Sequence, residues 1–214
     1  MPLSEFPRPM VTVDVVIFTL QEQDLQVLLV RRKHPPFEGM WAIPGGFVGI
    51  DEPLETAALR ELEEETGVRD VRLEQLATFG DPGRDPRGRT ITVAYLALLP
   101  PGRTTVRAGD DAADARWWPV RSLPPLAFDH DRILACALQK LRHNLRCMMA
   151  LPELLPETFT LRELQAVYEA ILGEKLNPHT FRRRVLSADL VEKTGEIRKE
   201  AGRKRKLYRF RHKL

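Results

Sequence analysis

GFVGIDEPLETAALRELEEETGV, residues 46–68, is the stretch from which the rest of this 214-residue chain can be read. Its reactive part is RELEEE, Arg60 to Glu65. Glu61, Glu64 and Glu65 stand at i, i+3 and i+4, which puts three carboxylates on one face of an α-helix. Like charges at that spacing repel by roughly 0.2–0.5 kcal/mol per pair. A hard divalent cation offsets such repulsion; a solvated acidic face is the plainer reading of the triplet taken alone. The neighbours favour a site. A helix kept for solubility mixes Lys with its Glu, whereas Glu55 to Glu65 holds five Glu and one Arg. The spacing predicts a helix over Pro53–Thr66, with Pro53 at its first position and Gly67 as its stop. On its wheel Leu59, Leu62 and Thr66 fall together and are expected to face the core. Arg60 lies at i, i+4 from Glu64 and can orient it. Glu52, just before the helix, can pair with Arg60.

Outward from this stretch the chain reads as a mixed α/β domain. Met10–Leu20 and Gln26–Arg32 are apolar, β-branched runs separated by a polar turn, so they form a hairpin. Trp41–Val48 is a short strand broken by Pro44-Gly45-Gly46, where glycine lets backbone approach a ligand closely. Strands are expected at Arg72–Phe79 and Thr90–Leu99. The connection between them, GDPGRDPRGR (residues 80–89), reads equally as a long hairpin loop or as a phosphate clamp, because Arg84, Arg87 and Arg89 can bind phosphate oxygens bidentately. A polar loop over Gly102–Asp114 precedes a final strand or turn at Arg116–Val120. Apolar residues at 3–4 spacing predict a helix within Leu126–Leu145.

Composition bounds the function. No apolar run approaches the ~20 residues that span a bilayer, and MPLSEFPRPM is not a signal sequence. Cys136 and Cys147 make neither a disulfide motif nor a zinc site. A cytoplasmic protein with no membrane association is expected. The net charge of +3 hides an asymmetry. Residues 1–150 carry 18 basic and 21 acidic side chains, and residues 151–214 carry 15 and 9. Residues 175–214 alone reach +10, from 14 basic and 4 acidic side chains. Such a split points to nucleic acid or another acidic surface.

The tail has its own plan after a proline-bearing linker, Leu151–Thr158. Thr160 with Glu163 is a capping box; apolar residues from Leu161 to Leu172 follow at helical spacing, and Gly173 ends the helix. Asn177 caps a second helix, with Pro178 at its first position and Phe181, Val185 and Ala188 facing inward. A two-stranded ribbon follows from Leu190-Val191, through a basic loop, to Lys206–Phe210. This is the order of a winged helix-turn-helix. The second helix would present His179, Thr180, Arg182 and Arg183 to DNA, and the ribbon loop Arg203-Lys204-Arg205-Lys206 would follow the backbone or enter a minor groove. A basic dimerisation or solubility domain is the plainer reading.

The opening stretch resembles the Nudix signature, G-x5-E-x7-R-E-U-x-E-E-x-G-U with U a bulky aliphatic. Gly46, Glu52, Arg60, Glu61, Leu62, Glu64, Glu65, Gly67 and Val68 fill it without departure. The resemblance implies a Nudix α/β/α sandwich around a mixed sheet over residues 1–150, followed by a winged helix-turn-helix over 151–214. It implies Mg²⁺ or Mn²⁺ held by Glu61, Glu64, Glu65 and the Gly46 carbonyl, with Glu61 as candidate base and Arg60 and Glu52 beside it in the catalytic group. The whole chain is similar to Nudix-related transcriptional regulators of NAD metabolism. Phe79–Leu98, carrying Phe79, Arg84, Arg87 and Arg89, looks like that family and its ADP-ribose-hydrolysing relatives; Phe159–Leu186 looks like its DNA-binding part. The resemblance implies a homodimeric repressor on a palindromic operator in double-stranded DNA, its affinity set by ADP-ribose or a related nucleotide. The alternative is a Mg²⁺-dependent ADP-ribose pyrophosphatase whose basic tail serves dimerisation.

Overall fold

The structure, a computed structural model, describes residues 7–102, 105–109, 112–146, 152–200 and 203–211, with the side chains of Arg146, Glu200 and Arg203 outside the described set. The chain divides into two compact units: residues 1–18, 26–98 and 105–137 in one, and 19–25, 99–104 and 138–214 in the other.

The first unit is built on a mixed sheet. Strand β1 (Met10–Gln21) lies at its centre, with β2 (Asp24–Arg32) on one side and β6 (Thr90–Leu98) on the other. β6 runs parallel to β1, from Met10↔Thr90 to Phe18↔Leu98. A strand paired on both edges and covered on both faces reads as an unbroken apolar run, and Thr12 to Leu20 is buried throughout. The turn from β1 to β2 holds Glu22 and Gln23 at φ 51° and 69°, the left-handed pair of a two-residue hairpin. β3 (Trp41–Ala42) and β7 (Ala112–Pro119) pair with β2, β4 (Gly45–Phe47) pairs with β1, and β5 (Glu74–Phe79) pairs with β6. β7 starts earlier than the sequence suggests because its register along β2, Gln26↔Pro119 to Arg32↔Ala112, takes in the end of the polar loop.

Helix α1 (Leu54–Thr66) is capped by Pro53 in extended conformation, so the proline stands one position before its expected place. Gly67, at φ 71°, closes it by donating to the Glu63 carbonyl. Its buried face is Ala57, Ala58, Leu62 and Thr66. Leu59, expected in the core, is exposed. The buried stripe follows i, i+4 steps through Ala58, Leu62 and Thr66. Two further carbonyls at the helix end are satisfied from another segment: Arg107 N donates to Thr66 O and Gly109 N to Glu65 O. Gly109 cannot carry a side chain, since a Cβ would lie 1.6 Å from the Glu64 carbonyl oxygen. Helix α2 (His130–Arg146) begins later than Leu126, because Leu126 bridges to Trp41 and Ala127 N donates to the Trp41 carbonyl.

The second unit holds helix α3 (Leu161–Leu172), helix α4 (Pro178–Ser187) and the ribbon β8 (Val191–Glu200) with β9 (Arg203–Phe210). The Thr160–Glu163 capping box forms reciprocally, and Gly173 is left-handed at φ 77°. Asn177 Oδ1 accepts from the His179 and Thr180 amides, with Pro178 at the first helical position. Phe181 and Val185 are buried, and Phe181 meets Tyr168 edge to face. Ala188 is exposed rather than inward, because it is the C-cap and lies past the buried stripe. Arg203–Lys206 belongs to β9 rather than to a loop: Glu200↔Arg203, Lys199↔Lys204, Arg198↔Arg205 and Ile197↔Lys206 are paired.

Candidate functional site

A cleft of about 400 Å³ in the first unit has an acidic wall from α1 and a basic wall from the end of β2 and the loop after β5. The acidic wall is organised by Arg60. Its guanidinium donates to both Glu52 oxygens at 2.8 and 2.9 Å, to Glu61 at 2.8 Å, to Glu64 at 3.1 Å and to the Phe47 carbonyl at 3.1 Å. The pairing with Arg60, helped by the Gly49 amide, holds the Glu52 carboxyl down to about 2. Glu61 is pushed above its ordinary range, mainly by burial and against the pull of Arg60. Glu65 is pushed up to about 8 by burial, although Gly45 N donates to it at 3.0 Å; the charges of Glu61 and Asp14 add to the rise.

The Gly45–Gly46 start of β4 fits closely against these carboxylates. A Cβ on Gly46 would lie 2.3 Å from the Glu61 carboxyl carbon, and one on Gly45 would lie 2.1 Å from the Val13 carbonyl oxygen. Beneath β4 is a buried polar network that spacing along the chain does not reveal. Thr92 Oγ1 donates to Asp14 Oδ2 at 2.6 Å, and His130 Nε2 lies 3.5 Å from Asp14 Oδ1. His130 Nδ1 accepts from Ile43 N at 2.9 Å, which leaves the ring proton on Nε2, facing Asp14. Burial holds the imidazole below its ordinary pKa.

On the basic wall, Arg87 lines the cleft and pairs with Asp85 at 2.7 Å, while its guanidinium lies over Phe47 at 5.0 Å and Phe128 at 5.7 Å. Arg32 covers the Phe128 ring at 4.8 Å and donates to the Pro36 and His34 carbonyls. Burial and the nearby Arg87 lower its pKa. Two cations drawn together over one ring form a surface for a divalent anion. Arg84 reaches the cleft, but its guanidinium is spent on a bidentate, largely buried pair with Asp129 at 3.1 and 2.7 Å. Arg89 donates to the Gly80 carbonyl, and neither it nor Phe79 is among the lining residues. Arg32 and Phe128 were missed; the run RRKH at residues 31–34, basic and opposite an acidic helix, was the available signal for Arg32.

The carboxylates suit a hard divalent cation. Glu61 and Glu65 are oxygen donors crowded at one turn, and both have their ionised forms disfavoured by burial. Glu64 is more than half exposed and drawn to Arg60. Among the described residues no three His, Cys, Asp or Glu side chains converge as a metal site.

In the second unit α4 exposes His179, Thr180, Arg182 and Arg183. On β9, Lys204 and Lys206 are exposed and Arg205 is half-buried; the Arg203 side chain lies outside the described residues.

Residues 8–137 match the NUDIX domain family and residues 152–210 match the NrtR DNA-binding winged helix domain. The chain is 39% identical over 212 residues to the ADPR responsive transcriptional repressor NtrR of Acinetobacter baylyi, covering 97% of this chain and 84% of that protein. This chain belongs to the Nudix family, in its NrtR branch. It is also 41% identical to Shewanella oneidensis NrtR solved with a 27mer DNA, with a TM-score of 0.77 over 94% of this chain and 93% of that one. The NUDIX domain of the same protein, solved with ADP ribose, is 40% identical with a TM-score of 0.61, over 66% of this chain and 94% of that one. Nudix hydrolases use divalent metal ions as a family, in keeping with the oxygen donors of α1. No helix among the described residues is long and apolar enough to cross a membrane.

Proposed function

We propose that this chain is a transcriptional repressor of NAD-metabolism genes. Its affinity for double-stranded DNA is set by ADP-ribose, or a closely related nucleoside diphosphate, held in the Nudix cleft. The observation that carries this reading is the union of a complete Nudix box with an NrtR winged helix whose α4 exposes His179, Thr180, Arg182 and Arg183. Residues 1–150 bind the effector and residues 151–214 bind DNA. A homodimer sets two α4 helices on the half-sites of a palindromic operator, one helical turn or a multiple apart.

In the cleft Arg32 and Arg87 hold the diphosphate, and Phe47 and Phe128 offer planar surfaces beside it. Asp14 and His130 fix the strand that carries Gly45, and Gly45 orients Glu65. Glu61, Glu64 and Glu65 would hold Mg²⁺ or Mn²⁺, with Glu64 released from Arg60. Such a cation polarises a diphosphate and lowers the pKa of a bound water. Burial raises the proton affinity of Glu61, which suits it to take a proton at the cleft.

Hydrolysis of the effector is a second activity favoured by the complete box: every fixed position is filled, and Arg60 holds Glu52 and Glu61 in register. Cleavage then ends the signal that binding begins. A ligand that releases DNA must bind the DNA complex less tightly by the same factor.

The test is a titration of ADP-ribose, with and without Mg²⁺, into a DNA-binding assay on the region upstream of the protein's own gene, following ligand breakdown in the same tubes. Release of DNA by ADP-ribose is the expected result, with breakdown confined to the tubes containing Mg²⁺. DNA affinity unmoved by any diphosphate would defeat the reading.

A further inference from the structure

The two arginines that share the Phe128 ring are each held by the same edge. Arg87 gives Nε and Nη2 to Asp85, with Nε 3.0 Å from Oδ1 and Nη2 2.7 Å from Oδ2. Arg32 gives Nε to the Pro36 carbonyl at 2.7 Å and Nη2 to the His34 carbonyl at 3.3 Å. Neither Nη1 has an acceptor among the described residues, and both side chains line the effector cleft. A guanidinium carries five N–H donors in a rigid fork. With the Nε edge engaged, Nη1 and the outer proton of Nη2 stay available, which is the edge that grips phosphate oxygens in pairs.

The two anchors differ in charge. Arg32 rests on neutral carbonyls, whereas Arg87 rests on a carboxylate that is itself buried, 4% exposed. An ionised carboxylate accepts hydrogen bonds and donates none, so Asp85 cannot itself bind a diphosphate. An anion in the wall of an anion site would, standing alone, repel the ligand. Its bonds give it another purpose. Besides the fork, Asp85 Oδ1 accepts from Arg87 N at 2.9 Å, a turn in which Pro86 fixes the intervening backbone. Asp85-Pro86-Arg87 is thus one clamp made within three residues. The Asp85 bonds raise the pKa of Arg87, while Arg32 is lowered by burial and then by Arg87. Two like charges over one ring would otherwise part. A long side chain that is ordered beforehand loses less freedom when a ligand arrives.

We propose that Asp85 is a positioning residue for the effector diphosphate: it fixes the Nε edge of Arg87 so that the Nη1 ends of Arg87 and Arg32 meet the phosphates together. This rests on the cleft reading above, in which Arg32 and Arg87 hold the diphosphate, and adds the residue that sets their geometry.

The experiment is a calorimetric titration of ADP-ribose into the full chain in EDTA, so that no turnover intervenes. Asp85→Asn keeps the size of the side chain and the oxygen that accepts from the Arg87 amide, and removes the charge. A positioning role predicts binding about tenfold weaker, the cost of ordering one long side chain on binding. If Asp85 only adds negative charge to the cleft, its loss tightens binding and the inference falls. Arg87→Ala separates positioning from a general loosening of the loop. In that background Asp85→Asn should change affinity by less than about twofold. A full loss there as well would make Asp85 a structural residue of the loop and overturn the inference. If Arg87→Ala binds ADP-ribose as tightly as the wild type, the cleft reading falls and the inference with it. If Arg87→Ala is weakened while Asp85→Asn binds as well as the wild type, only the inference falls.

Discussion

Helices α1 and α4 each concentrate one sign of charge within a few turns, and the protein treats them in opposite ways. Two carboxylates of α1 are turned toward the protein. Glu61 and Glu65 are substantially buried, Glu65 is raised to about 8, and one arginine spans Glu52, Glu61 and Glu64. The cations of α4, from Arg182 to Arg184, are exposed. Buried like charges are expensive and persist where a local counter-charge or a bound cation offsets them. Exposed like charges cost little because solvent and salt screen them, and a polyanion that meets them is attracted. The contrast separates a compact site for a small ligand from a surface for a long one.

The comparison can be broken by removing charges from the cleft that α1 walls and from α4. Arg84→Ala should have the largest effect on folding. It leaves the largely buried Asp129 without its bidentate partner, a loss of about 2–4 kcal/mol, below the full penalty for a wholly buried pair, to be read as the denaturant midpoint at constant m. A loss under 1 kcal/mol would mean that water reaches Asp129.

Next comes pH. The Glu65 carboxyl is raised from 4.5 to about 8 in the fold, so the folded state holds this proton more tightly than the unfolded chain. Its stabilising contribution is complete below pH 4.5 and is lost as pH rises toward 8. In metal-free protein between pH 5 and 7, stability should fall by up to ~1.4 kcal/mol per pH unit from this group. Glu65→Gln should flatten that slope and also abolish Mg²⁺-dependent hydrolysis; a slope that persists in the variant assigns the titration elsewhere.

The smallest folding effect belongs to α4. Arg183→Ala should leave stability within about 0.5 kcal/mol and weaken DNA binding by about 1–3 kcal/mol, with ADP-ribose affinity unchanged by calorimetry. Unaltered DNA affinity would remove Arg183 from the interface.

What could be read from the sequence was what lies close along the chain. The caps of α3 and α4 are local chemistry: Thr160 with Glu163, and Asn177 with the amides of His179 and Thr180. The Arg60 pairs with Glu52 and Glu64 span at most eight residues. Contacts between distant segments were not legible. His130 meets Ile43 across 87 positions, and Arg84 meets Asp129 across 45. Arg84 stands as a candidate phosphate ligand because an arginine in a glycine-rich loop looks available; only the fold shows its guanidinium paired with Asp129. Leu59 misled for a related reason. A wheel places Leu59 beside Thr66, whereas the buried line on α1 runs through Ala58, Leu62 and Thr66 and leaves Leu59 past its edge. Arg203–Lys206 looked like a loop because it is so basic, yet cross-strand pairing carries it into β9.

The turn between β1 and β2 has a practical consequence. Its backbone asks for two consecutive left-handed residues, and the chain supplies Glu22 and Gln23. Asn-Gly suits that geometry far better. Neither residue lines the effector cleft or belongs to the basic ribbon. A protein engineer seeking a hardier version of this regulator, for use as a nucleotide sensor, could therefore begin at positions 22 and 23 and leave both recognition surfaces as they are.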